Sequence, residues 1–239
     1  MSIYQYIFEK TNIEFYKQKE NIQMMKVLKK SLLLLFLLNL FFIPLKAKAI
    51  KTTCFSEDSL NKSKCDLKMN ERKLWIDHVL WTRNYIIADI DSLEDKEAVL
   101  ERLLKNQDDI GNSIKPYYGE EAGNKLSSLL REHIKLAGQV LDASKSGNKN
   151  DFEKYNKLWY QNVDEIADFL SSANPKYSNK ILKSMLHKHL DLILEAVNAR
   201  LNKDWKADID AYDIGEDHMI NFADVLTDGI IKQFPEKFK

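Results

Sequence analysis

Four of the five histidines in this 239-residue chain occupy positions where an amphipathic helix places its core residues. In the stretch LLREHIKLAGQVL, His133 has leucine or alanine three and four positions away on both sides. His78, His189 and His218 have similar apolar neighbours one helical turn away. Neutral imidazole in such a position can bind a transition metal, or it can pair with other buried polar groups by hydrogen bonds.

These histidines belong to a pattern that repeats along the chain with a period of about 56 residues. His78, His133 and His189 follow one another at almost equal spacing, and the second interval exceeds the first by a single position. The same period relates the segments NQDDIGNSI, NVDEIADFL and HMINFADVL, which begin at Asn106, Asn162 and His218. A repeat of this length predicts three helical hairpins.

The repeated polar positions define a candidate site. The middles of antiparallel helices lie at similar heights, so we expect these residues to form one layer inside an apolar core. Neutral imidazole with a carboxylate suits Zn²⁺, Cu²⁺, Ni²⁺ or Fe²⁺. The candidate ligands of a metal ion or small molecule are His78, His133, His189 and His218, with Asp109 and Glu165 as acidic partners. The amides Asn106, Asn162 and Asn221 complete the predicted layer.

Two interpretations of this layer remain open at the level of sequence. In the first, the histidines bind a metal ion or small ligand in the bundle core. In the second, histidine and asparagine pair with each other and fix the register of the helices. The Glu-x-x-His pairs of di-iron carboxylate bundles are absent, as are phosphate-binding glycine loops and the nucleophile elbow of hydrolases, so no reaction is assigned.

The elements that must position these residues are helices. Glycine and proline are scarce, and they fall at boundaries such as KPYYGEE, SKSGNKN and SANPKYS. Short turns between long helices predict antiparallel neighbours. The fold class is therefore all-α, an antiparallel up-and-down bundle with three hairpins. Six helices are expected, near 69–91, 94–114, 119–146, 150–172, 178–201 and 204–234.

The N-terminal part of the chain has the pattern of an export signal. Residues 24–49 contain a basic segment, the apolar run SLLLLFLLNLFFIPL at 31–45 and an Ala-Lys-Ala sequence ending at Ala49. This pattern favours a signal peptide cleaved after Ala49, with an uncleaved membrane anchor through 31–45 as the alternative. Residues 1–23 form an unusual extension, and we expect Met24 or Met25 to be the true start. The predicted location is secreted or at the cell envelope.

Residues 50–68 form a leader that contains both cysteines, and the bundle domain covers 69–239. Cys54 and Cys65 are predicted to form one disulfide in an exported protein, with two free thiols as the alternative. Residues 1–49 hold eight lysines and three glutamates while the whole chain is neutral, so residues 50–239 carry a net charge of −5. This mildly acidic domain has no basic block, which argues against nucleic-acid binding.

Four stretches resemble a bacterial family of small all-helical proteins with no established activity: WIDHVLWTRNYII, LLKNQDDIGNSIKPYYG, DEIADFLSSANP and FADVLTDGIIKQFP. The resemblance covers roughly residues 70–238 and implies the helical fold, but it supplies no catalytic residue. A glycosyltransferase or an acetylglutamate kinase would need a nucleotide-binding α/β fold, and no βαβ pattern occurs.

The predicted function is an exported or membrane-anchored helical bundle that binds a metal ion or small ligand through its buried polar layer. The alternative is a non-catalytic structural or interaction module at the cell envelope. The sequence names no protein partner, and it leaves enzymatic activity open.

Overall fold

Residues 62–238 are almost entirely helical in the computed structural model, which describes this part of the chain. A short 3-10 turn, Pro235–Phe238, follows the last α-helix, and no strand occurs within the described range. The predicted all-α class is therefore confirmed. The α-helices of this range are α1 (Lys62–Ile90), α2 (Lys96–Ser146), α3 (Lys149–Ala173), α4 (Asn179–Leu201) and α5 (Trp205–Gln233).

The structure has five helices in this range where the sequence predicts six, because α2 covers two of the predicted helices. Its backbone leaves the helical conformation at Gly119, where φ is 84° and ψ is 171°. The two arms, 96–118 and 120–146, pack against each other so closely that a Cβ on Gly111 would lie 2.5 Å from the carbonyl oxygen of Gly123. Only glycine permits this close contact between the arms.

The helices pack as a closed ring around an apolar core. Each helix packs against the next one along the chain, and α5 packs against α1. The centre contains large side chains that are almost fully buried, including Trp75, Trp159 and Phe222. Each helix therefore presents one face to the same interior, which agrees with the predicted bundle.

Polar side chains mark the starts of three helices. The side chains of Asn148, Ser178 and Asp204 each accept a hydrogen bond from the backbone N–H three residues further on. Such caps satisfy backbone donors that have no partner inside the helix. Ser178 is the N-cap of α4, and Asp151 lies in the first turn of α3, three residues after the N-cap Asn148.

A network of ion pairs joins three helices beside the core. Asp208 of α5 is buried, and its carboxylate accepts hydrogen bonds from Arg83 of α1 at 2.7 and 3.1 Å. Arg200 of α4 adds a contact of 3.3 Å to the same carboxylate and also pairs with Asp91. A buried carboxylate is stable when it is paired in this way, so the network fixes α1, α4 and α5 relative to each other.

The predicted export signal lies outside the described residues, as do the cleavage position after Ala49 and the apolar run at 31–45. Cys54 also lies outside them, so its pairing with Cys65 stays a prediction. Within residues 62–238, none of the helices carries an apolar stretch of the length required to cross a bilayer.

Candidate metal centre

Three of the four predicted histidine ligands meet in the middle of the core. His78 comes from α1, His133 from the second arm of α2 and His189 from α4. One ring nitrogen of each lies within 4.8 Å of those of the other two. The ring centroids are 5.6 to 6.2 Å apart, and each residue is at most 4% exposed. The structure thus brings together residues that are far apart in the chain and that the sequence pattern places at equivalent positions.

The orientation of His133 is set by Asn162 of α3. The Nδ1 atom of His133 lies 3.2 Å from the Oδ1 atom of Asn162, while the amide nitrogen of Asn162 donates to the carbonyl oxygen of Leu129 at 3.2 Å. Because a backbone carbonyl can only accept, the amide is oriented with its oxygen toward the imidazole. His133 therefore carries its proton on Nδ1, and Nε2 has a free lone pair for a metal.

His78 is oriented in the same way by Gln107 in the first arm of α2. Its Nδ1 atom lies 3.2 Å from Oε1 of Gln107, whose amide nitrogen donates to the carbonyl oxygen of Leu103 at 2.8 Å and to Oδ1 of Asn106 at 3.1 Å. Asn106 in turn donates to the carbonyl oxygen of Leu74 at 3.0 Å. The proton of His78 is therefore also on Nδ1, which leaves Nε2 free.

His218 lies beside this centre but is not one of the three converging histidines. Its Nε2 atom donates to the carbonyl oxygen of Met185 at 2.7 Å. Met185 is four residues before His189, just as Leu129 is four residues before His133. His218 is therefore placed relative to His189 as Asn162 is placed relative to His133. It is a half-buried neighbour of the centre, not a member of the group of three.

Burial keeps all three converging imidazoles neutral. It lowers the pKa of His78 to about 4, against a smaller opposing effect of the hydrogen bond to Gln107. Burial and the neighbouring His78 lower the pKa of His133 to about 3. The pKa of His189 lies well below its usual value, because of burial first and then the three other histidines around it. Neutral imidazole is the form that binds metals, so no proton must leave these rings first.

Aromatic side chains form the walls of the centre. The indole of Trp75 contacts His78 edge-on at a centroid distance of 5.6 Å, and Trp159 lies 5.4 Å from His133. Phe222 packs against Trp75 at 5.0 Å. These rings exclude water and lower the local dielectric constant, which strengthens electrostatic interactions with anything bound there.

The predicted acidic partners are not beside the histidines. Asp109 is partly exposed and pairs with Lys105, and Glu165 is exposed. Asn221, the third predicted amide of the layer, is exposed as well. Each of these residues lies three positions after a layer residue, which is about 60° around the helix from it, so all three lie at the edge of the buried face, where the structure leaves them partly or fully exposed.

The sequence pattern did not identify two polar residues that the structure places near the centre. Gln107 directly follows Asn106, and only Asn106 occupies a repeated position of the sequence pattern. Glu71 of α1 is 1% exposed, and it lies seven residues before His78 on the same helical face. That spacing is the sequence signal that could have found it.

No protein-family model, no curated protein and no solved structure matches this chain. The function is therefore argued from the geometry of the three histidines.

Proposed function

We propose that the protein binds one transition-metal ion in the core of its helical bundle through His78, His133 and His189. The observation that carries this proposal is the convergence of three neutral imidazoles, one nitrogen of each within 4.8 Å of the others. Within residues 62–238 no hydrogen bond joins one of these rings to another. The three rings therefore do not satisfy one another, and a cation between them would accept the lone pairs that neutral imidazoles offer.

The hydrogen bonds to Gln107 and Asn162 support a metal site in particular. Histidines that bind a metal commonly donate their other ring N–H to an oxygen acceptor, which fixes the tautomer and the ring direction. His78 and His133 both have such an acceptor at 3.2 Å. Three protein nitrogens suit Zn²⁺, Cu²⁺, Ni²⁺ or Fe²⁺, and they leave a coordination position for water or another small ligand.

The hydrogen bonds around the three histidines also support the proposal that the domain consists of repeated helical hairpins. The bonds from His78 to Gln107 and from His133 to Asn162 each span 29 residues. Three side chains at equivalent positions of the sequence repeat donate to the carbonyl oxygen four residues before a converging histidine: Asn106, Asn162 and His218. A polar layer built in this way would follow from three copies of one hairpin.

The alternative function is a structural module whose polar layer holds the helices in register. The bonds between buried amides and imidazoles favour it, because they stabilise helix pairs without any ligand. In either case we place the domain outside the cytoplasm, secreted or at the cell envelope, on the basis of the export signal predicted at 24–49.

Elemental analysis of the protein purified without a histidine tag tests the metal proposal. We expect close to one equivalent of metal, which His133→Leu and His189→Leu lose. His187→Leu is the matched control, because His187 lies on the outside of α4 and pairs with Asp164 at 2.9 Å. A wild-type protein that contains no metal and takes up none of the four ions would leave the structural module as the better explanation.

A further inference from the structure

Glu71 is a buried carboxyl group that the three-histidine centre does not use directly. It is 1% exposed, and its Oε1 atom is buried without a hydrogen-bond partner among the described residues. The indole nitrogen of Trp75, one turn further along α1, is also buried without a partner in this part of the chain. A buried polar atom with no partner destabilises a fold, so this arrangement requires a reason other than stability.

The position of Glu71 connects it to the histidines. It lies two helical turns before His78, which places the two residues about 10 Å apart along the axis of α1. Trp75 lies between them and contacts His78. Glu71 and Trp75 also line a small apolar cavity of about 20 Å³, which is large enough for one water molecule.

No positively charged residue pairs with Glu71 in residues 62–238. From α2 it is approached by Ser113 and Tyr117, and Tyr118 and Tyr177 share its cavity. The faces of α3 and α5 toward the cavity are apolar. The basic residues nearest in sequence on α1 are occupied elsewhere, because Lys68 and Arg72 both pair with Asp224 and Lys73 pairs with Asp77.

We propose that Glu71 is the counter-anion of the metal centre and that its charge sets the preference of the site for divalent over monovalent cations. This inference rests on the proposed function. The three imidazoles are neutral, so they leave the whole charge of a bound ion uncompensated in a water-poor core. A carboxylate about 10 Å away compensates part of that charge through a medium of low dielectric constant.

The proton balance of binding follows from the same arrangement. Burial raises the pKa of Glu71 to about 7, so at pH 6 the group is mostly protonated. When a dication binds to the three imidazoles, Glu71 ionises and its proton passes to solvent. The imidazoles contribute no proton at this pH, because they are already neutral.

Calorimetric titration of the full-length protein with Zn²⁺ at pH 6, in two buffers of different ionisation enthalpy, measures the protons released. We expect close to one proton per Zn²⁺ for the wild type and none for Glu71→Gln. At pH 8, where Glu71 is mostly ionised, we expect Glu71→Gln to bind Zn²⁺ about 100-fold more weakly and Ag⁺ about tenfold more weakly. Glu165→Gln is the control for an exposed acid, and it should match the wild type.

An infrared measurement on the wild type alone gives a second test that does not depend on the folding of a variant. The carbonyl band of a protonated carboxylic acid should disappear when Zn²⁺ is added at pH 6. Equal Zn²⁺ affinity and equal proton release in Glu71→Gln and wild type would overturn this inference while metal binding stands. If the wild type binds none of Zn²⁺, Cu²⁺, Ni²⁺ and Fe²⁺, the proposed function is overturned, and this inference with it.

Discussion

His133 and Asn162 are 29 residues apart in the chain, and their side chains meet inside the bundle with 3.2 Å between Nδ1 and Oδ1. The amide of Asn162 is held in turn by the carbonyl oxygen of Leu129. These two successive hydrogen bonds place the proton of His133 on Nδ1 and leave Nε2 unprotonated. Asn162 therefore has two effects: it stabilises the fold, and it orients the imidazole of His133 as a metal ligand.

Asn162→Ala separates these two effects. Loss of the amide leaves the Nδ1–H of His133 and the carbonyl oxygen of Leu129 without partners, so we expect unfolding to become easier by about 1–3 kcal/mol. We also expect Zn²⁺ affinity to fall about 10- to 100-fold, because the tautomer and ring direction of His133 are no longer fixed. Denaturant unfolding and competition titration measure the two quantities, with the exposed Asn124→Ala as control. Lower stability with unchanged affinity would mean that Asn162 is only structural.

The position of the histidines was predictable from the sequence, and the identity of their partners was not. The nearly constant spacing keeps His78, His133 and His189 in phase with the apolar face of their helices, so their meeting in one layer follows from the pattern. Gln107 was missed because its neighbour Asn106 occupies the repeated position. Only the packed backbone shows that the longer side chain reaches the imidazole.

Glu71 escaped prediction for a different reason. The predicted start of the first helix at residue 69 places Glu71 in the first turn, where an acid is common and exposed. In the structure α1 includes residues from Lys62 onward, so Glu71 lies well inside the helix and faces the core. The later start predicted for this helix thus left Glu71 out of the expected core.

The low pKa values of the histidines make the metal-free fold sensitive to acid. In the unfolded chain a histidine binds a proton below about pH 6.5, whereas folded His78 does so only near pH 4. The stability that depends on neutral imidazole is therefore complete above pH 6.5, and it is lost as the pH falls toward 4. A pKa shift of this size changes the free energy of unfolding by about 3 kcal/mol between pH 6.5 and pH 4. Denaturant unfolding of the metal-free protein between pH 7.5 and 4 should show this loss, and a flat profile would contradict it.

Glu71 has the opposite dependence on pH. Its pKa is raised to about 7 in the folded state, so the free-energy cost of burying its charge is absent below pH 4.5 and grows as the pH rises to 7. We expect metal-free Glu71→Gln to match the wild type at pH 4 and to be more stable by about 3 kcal/mol at pH 8. Thermal and denaturant unfolding at the two pH values measure this difference. Equal stability of the two proteins at pH 8 would mean that the buried carboxyl has found a partner or water.

The ion pairs of α5 allow a matched comparison of a buried and a more exposed carboxylate. Asp208 is buried between Arg83 and Arg200, so Asp208→Asn leaves two partly buried guanidinium groups with less compensating charge. We expect this change to lower the free energy of unfolding by about 3 kcal/mol. Asp224 pairs with Lys68 and Arg72 nearer to solvent.

The solvent around Asp224 screens its ion pairs, so we expect Asp224→Asn to cost about 1 kcal/mol or less. Denaturant unfolding at pH 7, at low and at high salt, measures both variants, and the salt dependence should be larger for the Asp224 pairs than for those of Asp208. Equal losses in the two variants would show that burial of Asp208 does not strengthen its contacts. In that case the close packing of α1, α4 and α5 would depend on their apolar faces rather than on this network.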